Sequence, residues 1–193
     1  MEYHLQTPLP KDITAALRVG DIVFISGTMV TARDKAHMRM VEYFKSNKEL
    51  PFRLESSVIF HGAPIVQEKD GEWKMVAIGP TTSSRMNDLE PAVIEHGAAA
   101  IVGKGGMDAK VLEALHDSGA VYMSMTGGTA VLGARMVTKV LGMEWEDLGM
   151  AEAVWLLEVK DFGPLTVTMD SCMGDLYENV RRRVSENIKG SRI

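Results

Sequence analysis

The sequence predicts an α/β fold, with a strand-rich first half and βα units joined by Gly-rich loops in the second. Three observations carry this. Gly79-Pro80-Thr81-Thr82-Ser83-Ser84-Arg85-Met86 follows the apolar, β-rich run Trp73 to Ile78 and precedes a helix signal from Pro91 to His96. Ala99-Ala100-Ile101-Val102 then runs into Gly103-Lys104-Gly105-Gly106-Met107, and Ala120 to Met125 runs into Thr126-Gly127-Gly128-Thr129-Ala130. Each leads into a further helix, and strand, Gly-rich turn and helix in succession read as consecutive βα units. Before residue 73 the apolar runs are short and separated by Gly, Pro and polar clusters, a pattern with an antiparallel flavour.

In chain order, residues 4–9 predict a short edge strand ended by proline. Ile13 to Leu17 and Ile22 to Ser26 flank the turn signal Arg18-Val19-Gly20-Asp21. Ile22-Val23-Phe24-Ile25 reads as a buried strand, carried by Gly27 to Thr31 up to Ala32-Arg33-Asp34. Ala36, Met40, Val41 and Phe44 fall at helical spacing, so a helix spans roughly 33 to 46. Residues 47–56 are polar, contain Pro51 and read as a loop. Val58-Ile59-Phe60 and Ala63 to Gln67 are short strands around His61-Gly62, and Lys69-Asp70-Gly71-Glu72 is a hairpin turn returning through Trp73 to Ile78. Pro91 suits the first turn of a helix that Gly97 ends. Val111, Leu112 and Leu115 make an apolar stripe on the next, and residues 129–141 predict a third helix whose Ala130-Val131-Leu132 start points to burial. Ala153 to Val159 and Leu165 to Met169 predict two strands joined at Lys160 to Pro164. Leu176, Val180, Val184 and Ile188 mark a final amphipathic helix, with fraying expected from Gly190.

A chain of 193 residues without repeat or linker suits a single domain over 1–193. The net charge of −5 argues against nucleic acid or an anionic membrane as partner, and makes a local cluster of cations informative. A single cysteine, Cys172, excludes an intrachain disulfide, a Cys-rich zinc site and an iron–sulfur cluster held by this chain alone. No apolar run reaches transmembrane length and the first residues do not read as a signal peptide, so a cytoplasmic location is expected. The 14 methionines read as pliable core filling.

The chemistry gathers at the loops. Ligands in open α/β sheets sit at the carboxyl ends of the strands, where Thr81, Arg85, Lys104 and the Thr126–Thr129 turn are expected to meet. The 79–86 loop offers hydroxyls and one Arg but no acid, which suits an anion. Arg33 and Arg85 each present a planar fork matching a carboxylate, and Lys104 adds a point charge, a set that fits a small dicarboxylate and, nearly as well, a phosphate. Each Arg has a plainer reading as a surface ion pair, whereas Lys104 stands among glycines, where packing gives little reason for a long cation. Gly-Lys-Gly-Gly is not the phosphate-loop pattern, which counts against a nucleotide. Thr81 and Thr82 are at least turn caps. With cations and a helix N-terminus nearby, a threonine hydroxyl becomes a usable base. His37 lies one helical turn beyond Arg33, facing either the same pocket or the surface. No Ser-His-Asp order and no carboxylate pair accompanies these loops. The residues alone leave a catalytic subunit, a non-catalytic anion-binding subunit and a phosphosugar enzyme open.

These motifs, with Phe162-Gly163-Pro164-Leu165, Met169-Asp170-Ser171 and the segment Val30 to His37 in the form Thr-x-Arg-Asp-x-x-His, resemble the C-terminal domain of class I fumarases. In two-subunit versions that domain is a separate β-subunit, and L-tartrate dehydratase β-subunits share the pattern. The resemblance covers nearly the whole chain. It implies a swivelling β/β/α domain and an iron–sulfur hydro-lyase hydrating fumarate to L-malate. A partner α-subunit would carry a [4Fe-4S] cluster and the general acid, giving a hetero-oligomer or a homodimer. It also implies Thr81 as catalytic base, with His37 a weaker catalytic candidate, and Arg33, Thr82, Arg85 and Lys104 as substrate-binding positions, with no metal held by this chain. Ser84 and Asn87 depart from many fumarases, which have Gly and Asp there, so the substrate is less fixed than the reaction class.

Overall fold

The structure is a computed structural model and describes residues 1–190. In chain order the elements are β1 (Glu2–Gln6), α1 (Lys11–Ala16), β2 (Ile22–Thr31), α2 (Asp34–Lys45), β3 (Val58–Phe60), β4 (Gly62–Lys69), β5 (Glu72–Pro80), α3 (Glu90–Glu95), β6 (Ala100–Gly103), α4 (Ala109–Ser118), β7 (Val121–Ser124), α5 (Ala130–Met136), β8 (Val137–Glu144), β9 (Val154–Met169) and α6 (Leu176–Gly190). This is an α/β arrangement.

The main sheet has the order β1-β2-β3-β6-β7-β9-β8, and β9 also pairs with β2. The pairings β2–β3–β6–β7–β9–β2 therefore close on themselves, leaving β1 and β8 as side strands. The strands β1, β2, β3, β6 and β7 run parallel, whereas β9 runs antiparallel to β2, β7 and β8. The first half is thus more parallel than its short runs predict, because β4 and β5 leave the sheet as a separate antiparallel hairpin. Asp70 (φ 56) and Gly71 (φ 78) turn that hairpin, the left-handed pair a tight two-residue loop requires.

Side chains alternate across β3, β6 and β7 because the strand period is two. Val58, Phe60, Ala100, Val102, Val121 and Met123 face one core, shared with the hairpin residues Val66 and Ile78. Ile59, Ile101 and Tyr122 face a second core, shared with Ala36 and Met40 of α2, Val93 and Ile94 of α3, and Val111 and Leu115 of α4. Strands covered on both faces explain the near-continuous apolar runs. α4 begins where the Asp108 side chain accepts a hydrogen bond from the Val111 N–H (3.2 Å) and ends at Gly119 in the left-handed region (φ 69).

Three expectations are corrected. The predicted helix 129–141 stops at Met136, and Val137 begins β8; Val131 and Leu132 are 61% and 55% exposed rather than buried. β-branched Val137, Thr138 and Val140 favour the extended chain, and pairing with β9 rewards it. The two predicted strands after residue 153 are one 16-residue strand, with Gly163-Pro164 inside it. Pro164 lacks an N–H to donate, and the β2–β9 register steps from Ile25↔Phe162 to Val23↔Leu165 across it. The stripe of α6 faces outward, with Val180, Val184 and Ile188 about half exposed. The expected fraying falls partly on residues 191–193, outside those described. Among the described residues no helix is long and apolar enough to cross a membrane.

Candidate active site

The parallel strands place four chain segments side by side. Thr31 pairs with Phe60, Phe60 with Val102, and Gly103 with Ser124. The residues that follow each strand therefore leave from one edge: Arg33 after β2, His61 after β3, Lys104 after β6 and the Thr126–Thr129 turn after β7. The 79–86 loop arrives at this edge from the hairpin. The Thr81 N–H donates to the His61 carbonyl (2.6 Å), the Lys104 N–H to the Thr81 carbonyl (3.3 Å), and the Ser83 N–H to the Lys104 carbonyl (3.1 Å). Thr82 and Lys104 thereby form an isolated parallel bridge. The loop is, in effect, a one-residue strand added beside β6.

This brings Thr81, Thr82, Lys104 and the Gly127 turn together, as the junction pattern predicts. The Lys104 side chain runs alongside Gly127: a Cβ there would stand 3.9 Å from its Nζ. Among the described residues Lys104 forms no ion pair within 4.0 Å. The arginines sit differently. Arg85 pairs with Asp34 at the start of α2 (Nη2 to Oδ2, 2.9 Å; Nε donating to Oδ1, 3.0 Å), and Arg33 lies 3.5 Å from Glu152. The loop itself is free of acid, but neighbouring elements supply one to each guanidinium. An incoming carboxylate would have to exchange with these partners or bind beside them. Arg85 is half exposed on its side chain and Arg33 mostly buried. The Arg33 Nε is buried with no hydrogen bond among the described residues. Ser84, Asn87, Gly106, Met107 and Tyr177 line an open cleft of about 900 Å³ next to these loops.

Behind the loops lies a polar cluster that the motif reading missed. His37, His61 and Glu90 are fully buried. His37 is thus not a surface residue. Its Nδ1 lies 2.8 Å from the Arg33 carbonyl and its Nε2 3.0 Å from Glu90 Oε2. Both partners only accept, so both ring nitrogens carry protons and the ring is an imidazolium. Burial opposes that charge, but the Glu90 carboxylate outweighs it and raises the His37 pKa. Burial likewise opposes the Glu90 charge, and the two imidazoles overcome it, holding its pKa at about 2. His61 Nε2 is 2.8 Å from the same Oε2 but off the hydrogen-bonding line, so this contact is electrostatic. Burial lowers the pKa of His61 and keeps it neutral.

His61 Nδ1 lies 2.9 Å from Ser83 Oγ. Tyr122 Oη is 2.9 Å from Ser83 Oγ and 2.7 Å from the Gly105 carbonyl, the one partner that can only accept. Burial pushes the Tyr122 phenol up, so it stays protonated as a donor. The legible signals for this cluster are a histidine continuing the apolar run Val58-Ile59-Phe60, and an acid just ahead of Pro91.

Three donor atoms of His37, His61 and Glu90 lie within 4.8 Å of one another, a set that a divalent ion accepts. The two N–O separations, 2.8 and 3.0 Å, are those of direct pairing. Two ligands of one tetrahedral zinc, each at ~2.1 Å, would stand ~3.4 Å apart. Ionic and hydrogen-bonded contacts within the cluster account for the geometry.

A protein-family model described as "Fumarase C-terminus" matches residues 2–180. The chain is 46% identical over 190 residues to the "Putative L(+)-tartrate dehydratase subunit beta" of Methanocaldococcus jannaschii, covering 97% of each. It is 37% identical over 187 residues to the "L(+)-tartrate dehydratase subunit beta" of Escherichia coli K12, covering 96% of this chain and 92% of that one. It is also 35% identical over 186 residues to the "Putative fumarate hydratase class I" of Geobacillus stearothermophilus, where it spans 95% of its own length but 35% of the relative.

Proposed function

The chain belongs to the Fumarase C-terminus family, and we propose that it is the β-subunit of a hydro-lyase acting on a four-carbon dicarboxylate, reversibly hydrating fumarate to L-malate. The observation that supports this most is the pairing of the Thr81-Thr82 hydroxyl loop with Lys104 at the carboxyl edge of parallel strands. A pure anion-binding subunit needs the cations but not a hydroxyl held beside them. Tartrate is the second reading, favoured by the names of the relatives that match over nearly their whole length.

In this reading Arg33, Arg85 and Lys104 hold the two carboxylates, with Thr82 adding a hydroxyl. Thr81 Oγ1 accepts the proton from the carbon next to one carboxylate. Negative charge then builds on that carboxylate, and fixed cations stabilise it more strongly in a water-poor cleft than in water. The same cations favour the deprotonated hydroxyl that acts as base. A [4Fe-4S] cluster held by three thiolates does not fit a chain whose one cysteine is the exposed Cys172. The reading assigns the cluster and the general acid to an α-subunit, so turnover needs a hetero-oligomer, expected in the cytoplasm.

Anaerobic affinity capture from native extract, followed by assay of the eluate with fumarate, malate and both tartrates, tests this. Co-elution of a larger iron-containing chain with fumarate hydration is the expected result. Activity on tartrate alone would change the substrate. A chain that elutes alone and inactive under gentle conditions would leave the anion-binding subunit as the better reading.

A further inference from the structure

We propose that His37, Glu90 and His61 form a positioning device for the anion site, with Glu90 bridging two imidazoles that each hold a different ligand-bearing loop. The inference rests on the reading of the loops as a dicarboxylate site, and it concerns how their mutual spacing is set.

Each arm can be followed to a loop. His37 donates to the carbonyl of Arg33, fixing the last residue before α2. His61 contacts the Ser83 hydroxyl through Nδ1, and its own carbonyl accepts the Thr81 N–H. Tyr122 reaches from β7 to the same Ser83 oxygen and to the Gly105 carbonyl, one residue past Lys104. A continuous buried chain thus links the Arg33, Thr81–Arg85 and Lys104 loops through side chains on α2, α3 and β7 and through His61 just past β3.

Packing alone does not call for this arrangement. The surrounding core is apolar, with Ile59, Ile101, Met86 and Val93 all fully buried. A buried ion pair is commonly matched or bettered in stability by apolar residues of the same volume, so stability is a weak reason for a carboxylate and two imidazoles here. What the charged group supplies is a hydrogen bond of fixed length to His37 and a close polar contact to His61, which sliding apolar surfaces do not. A displacement of about 1 Å among groups that position a substrate can cost ~100-fold in rate.

The test is Glu90→Gln, which keeps size and hydrogen-bonding capacity and removes the charge. It is read in the assembled enzyme and in the full chain alone. In the enzyme, kcat should fall at least tenfold while KM changes less than threefold, read at a temperature where the complex stays folded and assembled. In the chain, amide hydrogen exchange at Thr81, Ser83 and Lys104 should quicken at least tenfold, while amides of β8 are unchanged. The imidazole nitrogen resonances of His37 should also lose the doubly protonated signature. Wild-type kcat in a folded complex, or unchanged exchange at the three loop amides, overturns the proposal. Should Glu90→Gln fail to fold, Ser83→Ala cuts the His61 and Tyr122 contacts to the 79–86 loop, leaves the His37–Glu90 arm in place, and is read by the same two measurements. If the wild-type complex turns over none of the dicarboxylates, the hydro-lyase reading has failed, and the positioning claim is decided on exchange and His37 protonation alone.

Discussion

Lys104 and Thr81 are tied through their backbones: the Lys104 N–H donates to the Thr81 carbonyl, and the neighbouring Thr82 pairs with Lys104 as a parallel bridge. The candidate base and the one site cation without an ion partner among the described residues therefore move together. Removing either side chain should leave the bridge intact, so each role can be examined separately.

Thr81→Ala should lower kcat ~100-fold or more, within the usual range for losing a general base, with KM within threefold of wild type. Steady-state assay of the assembled enzyme checks this, and a near-normal kcat removes Thr81 as the base.

Arg85→Lys should raise KM at least tenfold, because an ammonium cannot make the bidentate contact that a guanidinium makes. Asp34→Asn releases Arg85 from its partner and should leave KM equal to or below wild type. A rise in KM for Asp34→Asn would mean that Asp34 orients Arg85 rather than competing with the substrate.

The buried cluster predicts a stability maximum near neutral pH. The raised pKa of His37 makes its contribution complete below the ordinary value of 6.5 and lost as pH rises through the folded value. Glu90, lowered from 4.5 to about 2, contributes fully above 4.5 and loses this as pH falls through about 2. The lowered pKa of His61 favours its neutral form in the fold, so its contribution fades as pH drops below 6.5. Thermal unfolding from pH 4 to pH 9 should show a lower midpoint at pH 4 than at pH 7, and a fall again on the alkaline side. A flat acid side would show that His61 is protonated in the fold.

Gly133→Ala should destabilise the fold by ~1–3 kcal/mol, as overpacking does. The new Cβ would collide with the carbonyl oxygen of Ile78, where α5 lies against β5. Urea unfolding measures this, and wild-type stability would mean that α5 shifts without cost.

The βα half was legible because its signals are local: Gly119 and Asp108 cap α4, and the apolar runs of β6 and β7 are bounded by Gly. The motif loops were legible for the same reason. What escaped depends on distant partners. The end of α5 at Met136 and the continuity of β9 through Gly163-Pro164 are set by pairing between β8, β9 and β2. Asp34 and Glu152 lie 51 and 119 residues from the arginines they meet, Arg85 and Arg33 (85 − 34 and 152 − 33), and no local motif announces them. His61 lies between two short strands and Glu90 just ahead of Pro91, and only the fold shows that they converge.

The closed ring of strands has a consequence for synthesis. β2 pairs along most of its length with β9, Ile25 opposite Phe162, a separation of 137 residues (162 − 25). At ~5–20 residues per second on the ribosome, that stretch takes about 7–27 s to make. Through that interval β2 presents an unmatched edge to solvent, guarded on its other side by β1 and, further along, by β3. The nascent chain thus carries an adhesive strand until β9 emerges, which makes translation products truncated before β9 natural clients for holding chaperones.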